Sequence, residues 1–367
     1  MTVRKVMKEL HLWLSLPLGI IISIICFSGA ILVFEQEIVK SLNSHLYKVE
    51  RQEGAMALPP SRLLEIVGQQ IPDSLQLSSI QYFQDPEAAC VIGFRNAGRK
   101  TLSVNPYNGQ VNGWIEQSSF FQTVKKLHRW VMDAPAAKGK GSIGKYVVGF
   151  STLFMVVILI SGLVLWLPRT MRSLKNRLCV AYNKGVRRFW YDVHVSLGFY
   201  ATLFLLVMAL TGLTWSFSWW RSMAYNLIGG KETAVAIKEE VPHKKSENKK
   251  RTFDFTVWDV LLPALQQAYP AYHYIQLDTR AAYVAKNTPG SMRKLDQVDY
   301  DKRSGAIEST SRFEDKPLRQ KLKGYFYAFH TGSWGGWITK VIYFIACLIG
   351  GTLPLTGYYL WWKRIRR

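Results

Sequence analysis

The sequence predicts a membrane protein: a four-helix transmembrane bundle arising from a tandem duplication, with two small α+β domains outside the bilayer. Three observations predict it. Four long runs carry no charged side chain, basic residues gather on one side of those runs, and the same residues recur at the same spacings in both halves.

Residues 12–34, 146–167, 193–220 and 341–362 contain no Asp, Glu, Lys or Arg. Each run has between 22 and 28 residues, and about 20 suffice to cross roughly 30 Å of hydrocarbon as a helix. The overall apolar share of 49% hides this partition. The first run exceeds the apolar core of a signal peptide and reads as an anchor. Cys26, Cys90, Cys179 and Cys347 form neither C-x-x-C nor C-x-x-C-H. That argues against a disulfide framework, a thioredoxin-type site, a zinc ribbon and covalently attached haem.

The net charge of +22 has a direction. Arg4, Lys5 and Lys8 precede the first run; Arg169, Arg172, Lys175, Arg177, Lys184, Arg187 and Arg188 lie between the second and third; Lys363, Arg364, Arg366 and Arg367 follow the fourth. Only Glu9 and Asp192 oppose them. The two long connections are far closer to balance. Short basic loops stay in the cytoplasm, so both termini and the 168–192 loop are expected inside. The charge therefore orients the chain in a lipid membrane, and nucleic acid is not an expected partner.

The repeat sets the units. His11 is followed by Ser28-Gly29 after 17 and 18 residues, and His194 by Thr211-Gly212 at the same distances. Run two ends Ser161-Gly162 with Trp166 beyond, and run four ends Thr356-Gly357 with Trp361 beyond. Asn-Pro-Tyr-Asn-Gly109 matches Asp-Lys-Arg-Ser-Gly305, each a turn between strands. The first span then covers 1–36, an outside domain 37–120, a pre-membrane segment and second span 121–168, and a basic loop 169–191. The third span covers 192–222, the second outside domain 223–318, and the last segment and span 319–367. Within each outside domain an amphipathic helix (60–70; 257–269) precedes alternating strands such as 89–95 and 295–300, enough for a small core in each. Residues 231–252, with their lysines, read as a polar insertion.

Four of the seven histidines have counterparts. His11 and His194 stand at the cytoplasmic mouths of the odd spans; His128 and His330 immediately precede the even ones. An ionisable group at this depth is costly and usually functional. Imidazole suits zinc, copper or haem iron. Zinc wants further ligands, and no Cys, Asp or Glu repeats with these histidines; two trans imidazoles complete a six-coordinate haem. Gly29 and Gly212 fall at the depth of His128 and His330, and Gly162 and Gly357 at that of His11 and His194, which is the room a flat ring needs. Plain small-residue helix packing reads the same glycines differently. A recess around His128 and His330 would be lined by Arg129, Trp130, Lys323, Tyr325, Tyr327 and Trp334. There, basic charge and flat aromatic area suit a bulky, anionic, aromatic molecule, whereas lipid-interface anchoring is the competing reading.

The H-x-x-L-S-L-P-L-G start, the L-H-R-W and F-H-T-G segments, and the S-G-L-V-L-W-L-P-R and T-G-Y-Y-L-W-W-K-R endings resemble the PepSY-associated transmembrane family. The outside domains resemble PepSY modules. The resemblance implies a bacterial inner-membrane cytochrome with two non-covalent b haems, held by His11 with His194 and by His128 with His330. It would act as a ferric-siderophore reductase in iron acquisition, passing electrons outward to a periplasmic ferric chelate. No G-x-G-x-x-G is present, so the electron donor would be quinol or a separate flavoprotein. The rival is a non-enzymatic, membrane-anchored binding or regulatory protein acting on peptidases, with structural histidines.

Overall fold

The computed structural model describes residues 2–51, 54–135, 141–168, 170–229, 253–287 and 294–366. The lysine-rich stretch 231–252, with His243, and the basic residues Arg169 and Arg367 lie outside them. The chain forms two compact units. One comprises Met1–Glu35, Ser119–Ile228 and Tyr325–Arg367; the other comprises Gln36–Ser118 and Gly229–Gly324.

In chain order the helices are α1 (Val3–Val33), α2 (Glu35–Leu42), α3 (Pro60–Gly68), α4 (Ser119–Trp130), α5 (Ile143–Trp166) and α6 (Met171–Leu178). They continue with α7 (Val186–Ser216), α8 (Ser218–Gly229), α9 (Val257–Ala268), α10 (Leu318–Thr331) and α11 (Gly336–Ile365). The four charge-free runs become α1, α5, α7 and α11, each long and apolar enough to cross a membrane. The third run breaks early, because Phe217 is extended (φ −123°, ψ 126°) and a separate helix, α8, starts after it.

α1 packs on α5 and α11, and α7 packs on the same two, so α1 faces α7 and α5 faces α11 across the bundle. Small residues let the helices approach. A side chain at Gly351 would meet the Phe27 ring, and one at Gly19 would meet Tyr358, whose hydroxyl donates to the Leu16 carbonyl (2.7 Å). Ile22, Met155, Leu159, Leu205 and Ala346 fill the interior. Its polar residues are short hydroxyls that satisfy themselves on helix carbonyls: Ser28 on Ile24 (2.6 Å), Thr211 on Val207 (2.6 Å), Ser161 on Ile158 (2.9 Å) and Thr356 on Leu353 (2.8 Å).

The second unit is one antiparallel sheet of eight strands in the order β4-β3-β2-β1-β5-β6-β7-β8. The strands are β1 (Leu77–Phe83), β2 (Cys90–Phe94), β3 (Thr101–Val104), β4 (Val111–Ile115), β5 (Tyr272–Asp278), β6 (Ala282–Lys286), β7 (Leu295–Tyr300) and β8 (Ile307–Ser311). The expectation of a separate core in each outside domain is corrected here. β1 and β5 pair directly, Ile80 opposite Leu277 and Gln81 opposite Gln276, so the two four-stranded meanders share one sheet. α3 and α9 pack together on one face and share its core, where Leu63, Val67, Trp258, Leu261, Ile92 and Val284 are fully buried. A meander half as wide leaves an edge strand and part of its apolar face open; joining the halves covers both. Asp259 ties the helices by accepting from the Ser61 backbone N–H (2.8 Å) and hydroxyl (2.5 Å). The two turns singled out in the sequence need glycine, since Gly109 and Gly305 have φ of +75° and +74°.

Candidate functional site

Each repeated histidine is carried by a helix and braced by a different one. His11 on α1 places Nδ1 3.0 Å from the Ile158 carbonyl and 3.3 Å from the Ser161 hydroxyl of α5. His128 on α4 reaches the Ile25 carbonyl (2.9 Å) and Ser28 hydroxyl (3.1 Å) of α1. His330 on α10 reaches the Met208 carbonyl (2.9 Å) and Thr211 hydroxyl (3.3 Å) of α7. His194 on α7 reaches the Thr356 hydroxyl of α11 (2.8 Å) and the Leu353 carbonyl. One device thus occurs four times: a helix carbonyl, a hydroxyl three residues on, and a glycine immediately after the hydroxyl.

This device fixes protonation. A carbonyl only accepts, so Nδ1 carries the proton and Nε2 keeps its lone pair. Bracing of the non-ligating nitrogen by a carbonyl is the usual support of a metal-bound histidine. On α4 and α10, outside the four spanning helices, burial lowers both imidazoles; it brings His128 to about 4, with the neighbouring His330 ring adding to the effect. The neutral, ligating form is therefore the resting form at neutral pH.

The rings meet in pairs across the bundle. The centroids of His11 and His194 are 6.3 Å apart, with ring planes at 88°. Those of His128 and His330 are 6.2 Å apart, with planes at 56°. A ligating nitrogen lies about 2.0 Å from its metal and about 1.2 Å from its own ring centre, so two imidazoles on opposite sides of one ion put their centroids about 6.4 Å apart. Both separations fit that arrangement. Both ring planes contain the line through the ion, so either interplanar angle is admissible. Among the described residues no group of three or more His, Cys, Asp or Glu is placed to hold a metal ion.

The glycines sit where the histidines do, but their role differs from the expected one. A side-chain carbon at Gly29, Gly162 or Gly212 would lie 3.1 Å from the Cε1 of His128, His11 or His330, and one at Gly357 would lie 3.6 Å from that of His194. The space they leave is taken by the imidazole edge rather than reserved for a macrocycle. Close approach lets Nδ1 reach the helix carbonyl.

Room for a larger group is found beside the first pair. A cavity of about 490 Å³ in the bundle is lined by His11 and His194 together with Ile22, Leu159, Leu205 and Gly350, and by Arg4, Lys8, Arg177 and Arg364. Trp166, on the same lining, stacks on Phe199 with centroids 3.6 Å apart and planes at 8°. Beside the second pair, the Trp215 ring lies 5.2 Å from His330.

The other expected residues are more scattered. Arg129 lies over Trp130 (4.5 Å) at the end of α4; Tyr325 and Tyr327 lie on α10, and Trp334 in the short turn Ser333–Gly335 packs near Phe329 (5.7 Å). Lys323 is exposed and belongs to the sheet unit. His45 and His273 lie in the sheet unit too. The bracing carbonyls and hydroxyls, the Trp166–Phe199 stack and the rim of the cavity are additions that the sequence reading lacked. The hydroxyls were signalled by a Ser or Thr before each of the four glycines.

Four membrane-length helices enclosing two braced, facing imidazole pairs define a polytopic membrane protein with two candidate metal or haem centres. The chain belongs to the PepSY-associated TM family, whose model matches residues 8–364. Among curated proteins none matches it.

Proposed function

We propose that this protein is an inner-membrane di-haem b cytochrome that passes electrons across the bilayer to a ferric chelate held outside, a ferric-siderophore reductase of iron acquisition. The observation that carries the proposal is the pairing itself: two cross-bundle imidazole pairs at 6.3 and 6.2 Å, each with Nδ1 bonded to a helix and Nε2 free. His11 with His194, and His128 with His330, would hold the two haems. Haem supplies one-electron iron chemistry when bound. The chain's own residues hold the imidazoles in one tautomer, orient them through the Ser/Thr–Gly contacts and, at the first pair, set aliphatic side chains such as Ile22, Leu159 and Leu205 beside them. Reduction of Fe(III) to Fe(II) outside weakens its hold on hard oxygen ligands, which releases the iron. The basic residues of both termini and of the 170–188 segment favour a cytoplasmic placement for that side. Electrons then enter from quinol or a separate flavoprotein.

A pyridine haemochrome assay on haem-replete protein is expected to give two non-covalent b haems per chain, and one or none overturns the reading. Reduced protein mixed anaerobically with ferric siderophores and ferrozine tests the acceptor. Haem reoxidation matched by Fe(II) supports the reductase. Reoxidation no faster than in protein-free controls removes the iron assignment but leaves the cytochrome.

A further inference from the structure

We infer that the first-pair cavity is built for an anionic edge: its rim of Arg4, Lys8, Arg177 and Arg364, with the Trp166 indole N–H, binds the carboxylates of the macrocycle held by His11 and His194. The inference rests on the haem reading of that pair. A b-type haem has two carboxylates along one edge, while its opposite edge carries only hydrocarbon groups. The cavity has the same polarity, aliphatic in its depth and basic toward the end where the chain termini lie.

Three features support it. The four cations converge from three separate helices, α1, α6 and α11, onto the lining of one cavity. Orientation of a membrane protein needs basic residues on one side but does not need them to line a common void. Second, none of the four is ion-paired among the described residues. Arg4 and Arg177 donate instead to the carbonyls that end α5: both to Leu165 (2.8 Å each), and Arg177 also to Trp166 (2.5 Å). Those bonds hold two guanidinium groups in place and leave further N–H donors on each, since guanidinium has five. Third, the Trp166 indole nitrogen is buried with no hydrogen-bond partner, although its residue lines the cavity. A buried N–H left unpaired is costly, and an acceptor brought to it would relieve that cost.

The test uses the full chain in detergent with His330→Ala, so that only the first pair binds. The protein is freed of haem and reloaded with iron protoporphyrin IX or its dimethyl ester, and the rate at which each passes to an apo-haemoprotein scavenger is read. The ester is expected to leave about tenfold faster than the free acid, the scale of one or two charge-assisted contacts. Lys8→Gln with Arg364→Gln, which spares the two arginines that cap α5, should shrink that ratio to about threefold or less. Trp166→Phe keeps the stack on Phe199 and should speed loss of the acid alone. Equal rates for acid and ester overturn the inference and leave the haem reading standing; so does a ratio that the double variant does not change. If the double variant does not fold, the acid–ester ratio of the intact rim decides alone. Uptake of neither porphyrin overturns the haem reading, and the inference with it.

Discussion

The two histidine pairs share a bracing device and differ in what carries their rings. His11 and His194 belong to spanning helices, so the first pair is positioned by the long packing seams of α1 and α7 against α5 and α11. His128 and His330 lie in the last turn of shorter helices, α4 and α10, each of which precedes a spanning helix in the chain. The first pair is thus fixed by bundle packing. The second depends on two turns as well, and local changes there should reach it without disturbing the first.

On the di-haem reading, removing one of the four histidines has the largest effect and tests whether pairing crosses the halves. His11→Ala and His194→Ala should each abolish the low-spin signal of the same haem, leaving the other intact. His128→Ala and His330→Ala should each remove the remaining one. Optical and electron paramagnetic resonance spectra of the four variants check this. Loss of one haem by both His11→Ala and His128→Ala would break the comparison at its base.

The helix count and the four histidines were readable because each rests on a local signal, charge-free length or exact spacing. What joins residues remote in sequence was less legible. The Gln81–Gln276 pairing that fuses two sheets spans almost 200 positions, and alternation within a strand does not say which edge it meets. The contact of each glycine with an imidazole edge was not legible, since helix rise gives height and not azimuth. The rim of the cavity was hidden for another reason. Arg4, Lys8, Arg177 and Arg364 look like orienting charges until folding brings α1, α6 and α11 to one void.

The bracing contacts come next in expected effect, and they differ within the first pair. Gly162→Ala places a methyl 3.1 Å from His11 Cε1, whereas Gly357→Ala places it 3.6 Å from His194 Cε1, an ordinary contact. Gly162→Ala should therefore speed loss of the first haem by about tenfold, the scale of 1–2 kcal/mol of overpacking. Gly357→Ala should stay within about threefold, because better helix propensity offsets the small crowding. Similar losses from the two variants would contradict the geometry. A smaller effect is expected at the hydroxyls. Thr356→Val removes a 2.8 Å partner of His194 and Ser161→Ala a 3.3 Å contact of His11, each ring keeping its helix carbonyl. Resonance Raman of the iron–imidazole modes should shift more in Thr356→Val than in Ser161→Ala.

The smallest prediction concerns the turns that set the second pair apart. α4 ends with Val131 and Met132 at φ of 48° and 71°, their N–H groups donating to the Leu127 (3.0 Å) and Lys126 (3.2 Å) carbonyls. After α10 the left-handed residue is Gly332, at φ 72°. Glycine takes that conformation freely, whereas a β-branched residue is strained in it by about 1–2 kcal/mol. Val131→Gly relieves the strain but gives back about 0.5–1 kcal/mol through the entropy of the unfolded chain. The net gain should be about 0.5 kcal/mol, enough to raise the temperature of second-haem loss by a degree or so with no change at the first. That difference separates a turn acting on His128 from a general gain in stability. An equal rise at both haems would mean that the bundle, and not the turn, sets the second pair.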